Sequence, residues 1–595
     1  MLDQATPRRP RRGGGVAAEE KLTYGIDFGT SNSVVARYNG DATEVLPVDS
    51  GNVPVQWREP EFEDLFPSVL SVRDFERTLC FGWDAKTTTG EPIDAVKRML
   101  GTRSAGMEQA HEDTPLLEEH HVWIGGEPFR STAAAAALFA QMKTAVSRHL
   151  LDLSEAVVTV PANATGGARY RTRAAARLAG IKVKALLNEP TAAAISYATD
   201  VDIPGRLLIF DWGGGTIDVT VLDYDGKYFE ELTSRGIGAL GGLEFDEALA
   251  RIFLRKAGQV PENLTVQERN RWRRDVELTK IALSRRDIGE MEVDFPALGT
   301  SLKVSREEYA AVAAPLIERA MDPLKQCLDD LGIGATGIDA VLMIGGTSQI
   351  PEARDAVGSL LRADRIVDPG LCHPMTAVAR GAAIYSAALD NHMDRERFSL
   401  VTNYDLGTAI AGGARKGFVP IIKRNRTLAA RGERRFTPAR ANAFSLKVEI
   451  VEGEAGYAAD SDRAFPLGIL EVRLPKPEQD PEQNAVVIDF RYDHSGILRV
   501  KVVHEVTKRL LMEAEIDSFG KDGTPLQQGL EGELHRLLAH ADIPFIRNAE
   551  SGELSMVKPS ELRSFGDPEV SQPGFTGKST LDSDLSVNGT PQSRI

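Results

Sequence analysis

Two stretches of the chain set acids beside glycines in a pattern suited to holding a triphosphate. In residues 207–223, LLIFDWGGGTIDVTVLD, an apolar run reaches Asp211, crosses Gly213, Gly214 and Gly215, and resumes as a β-rich run after Thr216. A glycine triplet lets the backbone approach a ligand where a β-carbon would collide, and its successive N–H groups form a concavity for phosphate oxygens. Asp211 and Asp218 flank that concavity. Acids beside phosphates need a cation between them, and Mg²⁺ fits because one or two carboxylates, water and substrate phosphate usually hold it. By itself a glycine-rich hairpin is equally an ordinary turn. A second copy changes the balance: residues 23–40, TYGIDFGTSNSVVARYNG, repeat strand, Asp27, Gly29, Thr30 and strand. The acids lie 211 − 27 = 184 residues apart, which suggests two similar half-domains with a nucleotide between them.

The segments that must position these hairpins alternate strand and helix. Residues 131–151 form an alanine-rich helix with Ser131 as its expected N-cap. EAVVTVPA is a buried strand stopped by Pro161, and ARYRTRAAARLAG is a helix closed by Gly180. KVKALLNEPTAAAISYA gives a strand, Glu189 and a helix with Pro190 at its first position. Further on, DAVLMIGGTSQIPEARDAVGSLL is a strand, the pair Gly345 and Gly346, and a helix opened by Pro351. Such alternation marks an α/β domain with crossover connections. Residues 399–517 instead alternate with a period of two, the pattern of a separate all-β module. Beyond it GLEGELHRLLAHA is expected to form one short helix, and the polar remainder reads as a disordered tail.

Composition narrows the partners. The 595 residues carry a formal net charge of −16, which argues against nucleic acid as the main partner. The start, RRPRRGGG, reads as a disordered basic arm with no apolar stretch behind it, hence not as a secretory signal. No apolar run approaches the roughly 18 residues that span a bilayer, so no membrane association is expected. Cys80, Cys327 and Cys372 are too far apart for a disulfide framework or a zinc spacing and fit a reducing cytoplasm. RGIGALGG contains a G-x-G-x-x-G at Gly236, Gly238 and Gly241, but it follows the phosphate hairpin where a dinucleotide fingerprint would open the domain.

Taken together, these segments resemble the DnaK-type heat-shock chaperone family, whose ATPase domain has the actin and sugar-kinase fold. GIDFGTSNS is similar to its first phosphate motif, FDWGGGTIDVT to the second, GIGALGGLEFD to the third phosphate loop and MIGGTSQIP to the adenosine motif. VVTVPA and LLNEPTAAAISYA resemble the hinge-side segments, while YDLGTAIAGG, FVPIIKRN, RFTPARANAFSLKVEIVEGE and DHSGILRVKV resemble the β-sandwich peptide-binding domain. The resemblance implies a basic arm at 1–20, an actin-like duplicated α/β ATPase domain at 21–390 with lobes at 21–203 and 204–390, a linker at 391–402, an all-β sandwich at 403–517, and a short helix with a disordered tail at 518–595.

By the same resemblance ATP or ADP would bind with Mg²⁺ and K⁺. Asp27, Asp211, Thr216 and Asp218 would surround the ions and the attacking water, with Glu189 near the metal's water shell. Lys97 would neutralise γ-phosphate charge, the positioning role that phosphoryl transfer needs. Gly29, Thr30, Ser31 and Asn32 with Gly213, Gly214, Gly215, Gly241 and Gly242 would hold phosphate oxygens. Glu277, Lys280, Ser284, Gly345, Gly346 and Thr347 would line the adenosine pocket, and Pro161 and Arg169 would relay nucleotide state to the sandwich. Thr408, Ile410, Ala411, Phe436, Ala439, Leu446 and Val448 would line a cleft for extended polypeptide, although strand alternation places such residues in a core as readily. A J-domain cochaperone and a nucleotide exchange factor are implied partners.

The chain departs from the family pattern at four places. Gln349 replaces a common arginine over the adenine, the linker ERFSLVTNYDLG lacks the aliphatic, acid-bounded form, and Ala411 is small where an arch residue is larger. Residues after 517 are too few for the long helical lid, so a peptide cleft would exchange quickly. These departures keep open a nucleotide-gated scaffold with one dedicated partner. A small-molecule kinase conflicts with the β module.

Overall fold

A computed structural model describes residues 22–556 apart from 58–59, 74–77, 88–89, 102–118, 165, 202, 259–263, 296–299, 391–401, 403, 411–415, 425, 454–455, 460–463, 494–497, 517–523, 540–544 and 548–553. The expected basic arm, all of the linker but Thr402, the arch residue Ala411 and the tail beyond 556 lie outside the described residues.

The duplication inferred from the two hairpins is visible as two sheets with one topology. In the first, Thr23–Asp27 pairs antiparallel with Asn32–Tyr38, which pairs with Thr43–Val45, while Glu155–Val160 and then Lys182–Asn188 add in parallel on the other side. In the second, Gly205–Trp212, Ile217–Tyr224 and Phe229–Ile237 form the antiparallel meander, and Ala340–Ile344 adds in parallel beside Gly205–Trp212. Parallel strands need crossovers, and the helices that supply them cover both faces. The central strands are apolar along their whole length; Leu208, Ile209 and Phe210 are fully buried.

Two small-residue helices, Glu189–Val201 and Ala377–Leu389, pack against one another between the sheets. Their alanines share one buried cluster with Ile209 and Ile344 of the second sheet and Val34 and Val157 of the first. This layer joins the two sheets. The alanine-rich helix begins at Ser131 as expected, but its first turn is capped differently. Ser131 is the first helical residue, and the Glu119 carboxylate accepts from both Ser131 Oγ (2.9 Å) and the Thr132 N–H. An acid at a helix N-terminus also meets the positive end of the dipole.

Residues 405–516 form the β-sandwich. Gly417–Ile422, Asp405–Ile410, Ser445–Gly453 and Ala464–Arg473 make one antiparallel sheet; Ala430–Phe436, Val486–Tyr492, Leu498–His504 and Leu510–Ile516 make the other. Val448, Ile450, Val472, Ile488, Phe490 and Val500 fill the space between them.

The short C-terminal helix, Thr524–Leu538, is set against the first lobe. Leu530, Leu534 and Leu537 recur at helical spacing and, with Leu538, join the buried cluster that contains Phe129 and Leu138 of the alanine-rich helix region. Glu533 accepts from the Arg130 backbone N–H at 2.9 Å and from Arg130 Nε at 2.8 Å. Each leucine so buried contributes about 1.5–3 kcal/mol over an exposed one, so the helix belongs to that lobe's core.

Candidate active site

The two hairpins face each other across the gap between the lobes. A β-carbon on Gly214 would overlap Ser31 Oγ of the other lobe, and one on Gly215 would overlap the Thr30 side chain. Only glycine permits this approach. The third phosphate loop is fastened onto the second hairpin: Gly242 N–H donates to Gly213 O (3.1 Å) and Leu243 N–H to Gly214 O (2.9 Å). Gly241 is the N-cap of the helix Gly242–Ala257, and its own N–H is taken by the Glu244 carboxylate at 2.6 Å. Thr347 Oγ1, in the turn Gly346–Gln349, donates to Gly213 O at 2.9 Å. Glycine loops from three points of the sequence thus meet at one backbone surface.

Beneath that surface lies a cluster of acids with one lysine. Lys97, on the short helix Val96–Gly101, reaches Glu189 Oε1 at 2.5 Å; their side chains are 13% and 8% exposed. Asp211 and Asp218 end and begin adjacent strands and stand directly opposite one another in the antiparallel register. Like charges so placed destabilise a sheet; Asp218 is buried and Asp211 partly so. Burial first, and then the fields of Glu189, Asp218 and Asp27, push the Asp211 carboxyl well above its ordinary range. Asp27 is raised by burial and by Glu189, against the opposing pull of Lys97 and a hydrogen bond from Thr159 Oγ1 at 3.0 Å. Asp218 is pushed up to about 6, again by burial first. Lys97 stays charged: burial pulls its ammonium down, but Glu189 and Asp27 outweigh that and raise it. Four carboxylates against one ammonium leave a buried surplus of negative charge, a donor set that fits a hard cation. Among the described residues no three acids, histidines or cysteines are grouped so as to hold a metal ion directly.

The residues expected near a nucleoside lie on the second lobe. Lys280 Nζ pairs with Asp246 at 2.8 Å and reaches Gly242 O at 3.3 Å. Glu277 points across the gap to Lys86 of the first lobe, 2.8 Å away, and Lys86 lies 4.4 Å from the Trp57 ring. Ser284 turns its hydroxyl back onto Lys280 O, and the Gln349 amide donates to Ser348 Oγ. Gly345 holds a left-handed backbone at φ +79°, and Gly346 follows it between Ala340–Ile344 and Pro351–Leu361.

Pro161 ends the strand Glu155–Val160, and Arg169, on the helix Gly166–Leu178, donates to Asn188 Oδ1 at 2.5 Å. That helix meets the sandwich at strand Ala464–Arg473. Burial raises the Glu452 carboxyl there, and the Arg169 guanidinium opposes the rise. In the sandwich Thr408 and Val448 are buried, Val448 within the core cluster; Phe436 and Leu446 pack at its edge. Ile410 is 39% exposed and Ala439 is exposed. The six expected cleft residues among the described ones therefore divide between core and surface, and Ala411 lies outside the described residues.

Sequence reasoning passed over Arg98, whose Nη2 donates across the gap to Gly215 O and to Glu244 Oε1 (2.8 Å). It also passed over Asp246, Thr159 and Lys86. The acid three residues after Gly241 was a legible capping signal for Glu244; nothing local marked the others.

Comparison with known proteins gives the family. The family model described as Hsp70 protein matches residues 23–523. The chain belongs to the Hsp70 family. It is similar to the chaperone protein HscA of Serratia proteamaculans, 30% identical over 574 residues, covering 92% of this chain and 88% of that protein. The chaperone protein HscA homolog of Delftia acidovorans is 30% identical over 496 residues, 81% of this chain and 76% of that one. The chaperone protein DnaK of Mycoplasmopsis synoviae is 27% identical over 529 residues, with 84% and 82% covered. A two-lobed ATPase fold followed by a β-rich region is the Hsp70 architecture, and a chaperone role is the broad function these relatives support.

Proposed function

We propose that this chain is an ATP-hydrolysing chaperone in which lobe closure at 21–390 governs the grip of the sandwich at 403–517 on extended apolar polypeptide. The observation that carries this reading is the cross-lobe convergence of Asp27, Lys97 and Glu189 with Asp211 and Asp218 under the glycine loops. Asp27, Asp211, Asp218 and Glu189 would hold magnesium, mostly through water, and the ion would neutralise phosphate charge; the same acidic surroundings would suit potassium. Lys97 places a fixed positive charge where γ-phosphate charge grows, with no reorganisation at the moment of reaction. Thr216 lies at the mouth of the second hairpin, where its hydroxyl orients the attacking water. Thr30, Ser31, Asn32 and Gly213 to Gly215 hold phosphate oxygens, and Glu277, Lys280, Ser284 and Gly345 to Gln349 form the nucleoside side. Arg169 and Pro161 carry the lobe movement to the sandwich face near Glu452. A J-domain cochaperone and a nucleotide exchange factor complete the proposed cycle, and the cytoplasm is its proposed compartment.

The deciding experiment measures release of a labelled apolar peptide in ATP and in ADP. Faster release in ATP supports the reading; no peptide binding in either state overturns it. One observation favours a second reading, a nucleotide-gated protein with a single dedicated partner. The only helix described after the sandwich is committed to the first lobe, which leaves the cleft of the sandwich without that helix as a cover.

A further inference from the structure

The segment RGIGALGG leaves Gly236 and Gly238 without a role in phosphate binding, and of the two only Gly236 has close neighbours. A β-carbon on Gly236, in the strand Phe229–Ile237, would come within 2.5 Å of Asp218 Oδ1 and 3.1 Å of Asn163 Nδ2. Gly236 is therefore the lid over a contact: Asn163 Nδ2, from the first lobe, donates to Asp218 Oδ1, from the second, at 2.9 Å. We propose that Asn163 is a positioning residue that fixes Asp218 across the gap between the lobes.

Asn163 sits in the turn that follows Pro161, closed by the Ala164 N–H on Pro161 O at 3.0 Å. Asp218 faces Asp211 across the register, and its carboxylate is hydrogen-bonded by Asn163 from the other lobe and by the Thr216 side chain from its own. An amide is the suitable partner: it donates without adding charge to a cluster already rich in acids. With Oδ1 engaged by Asn163, in a space that only a glycine at 236 leaves open, the Asp218 carboxylate is held in one orientation toward the ion's water shell. The contact also exists only when the lobes are near one another, so it ties the orientation of Asp218 to closure and to the Pro161 turn. The inference rests on the proposed magnesium and nucleotide site.

The test titrates Mg²⁺ against the ATP-induced rise in melting temperature of the full chain, and adds single-turnover hydrolysis. Asn163→Ala is expected to need about tenfold more Mg²⁺ for the half-maximal rise and to hydrolyse about tenfold more slowly, as removal of an outer-shell partner does. ATP affinity in EDTA and the nucleotide-free melting temperature stay at the wild-type values. Asn163→Asp, which adds a like charge at the same shape, is worse than Asn163→Ala; Asn163→Ser, which keeps a donor, recovers part of the loss. Unchanged Mg²⁺ midpoint and rate in Asn163→Ala overturn the proposal. Equal losses in all three variants, with a fall of several degrees in the nucleotide-free protein, also overturn it. A wild type that shows the Mg²⁺-dependent shift but no turnover defeats the chaperone cycle, and the midpoint still decides the role of Asn163.

Discussion

The nucleotide cleft and the sandwich solve opposite problems. In the cleft, polar groups are buried and held by partners from distant parts of the chain: Lys97 on Glu189, Arg98 on Glu244, Lys86 on Glu277. In the sandwich the residues expected to bind peptide are either core, as Val448 is, or open to water, as Ile410 is. A buried charge is tolerable only with specific partners, so the first site is specified residue by residue. An apolar cleft needs only a suitable surface, so its residues tolerate exchange. The difference teaches which parts of a divergent Hsp70 chain keep a fixed chemistry.

The largest expected effect breaks the comparison at its strongest point. Lys97→Ala should lower single-turnover ATP hydrolysis by about 10³-fold, the upper range for loss of a preorganised charge, while ATP still binds in a calorimeter. Wild-type turnover in that variant would refute the assignment. Next, Leu534→Ala should destabilise the nucleotide-binding side by about 3 kcal/mol, as cavity-forming leucine truncations do. Denaturant unfolding followed by the fluorescence of the five tryptophans, all between residues 57 and 272, checks it, and an unchanged transition would contradict the docking. Phe436→Ala should weaken peptide binding by about fivefold, near the 1 kcal/mol scale of a partly buried contact, with ATP hydrolysis unaltered; polarisation of a labelled peptide reads the first and phosphate release the second.

The smallest effect is a pH slope. Asp218 is raised by burial to about 6, so from about pH 4 to about pH 6 the folded chain holds a proton that the unfolded chain has lost. Stability from this group is therefore present at the acid end and falls as pH rises through that window. Melting temperatures in EDTA should show this fall, and Asp218→Asn should flatten it. A slope of the opposite sign would remove Asp218 from the buried cluster.

The fold was legible where local pattern and tertiary role coincide. The strand–Asp–Gly hairpins, the period-two alternation after residue 399 and the proline-opened helices each announce themselves within a few residues. The polar skeleton of the cleft does not. Arg98 follows Lys97 on a short helix and looks solvated, and Asn163 lies in an unremarked turn, yet both reach the opposite lobe. Their partners are more than fifty residues away, and no periodicity encodes that. The Ser131 cap shows the same rule in reverse: a side chain from Glu119 displaced the local candidate.

The leucine face of Thr524–Leu538 has a practical consequence for anyone dissecting the molecule. A fragment ending at the close of helix Ala377–Leu389 would bare the groove those leucines fill, and would tend to stick to itself. Adding a synthetic peptide spanning 524–538 in trans should restore its solubility, which makes this helix a removable plug for studying the two-lobed half by itself.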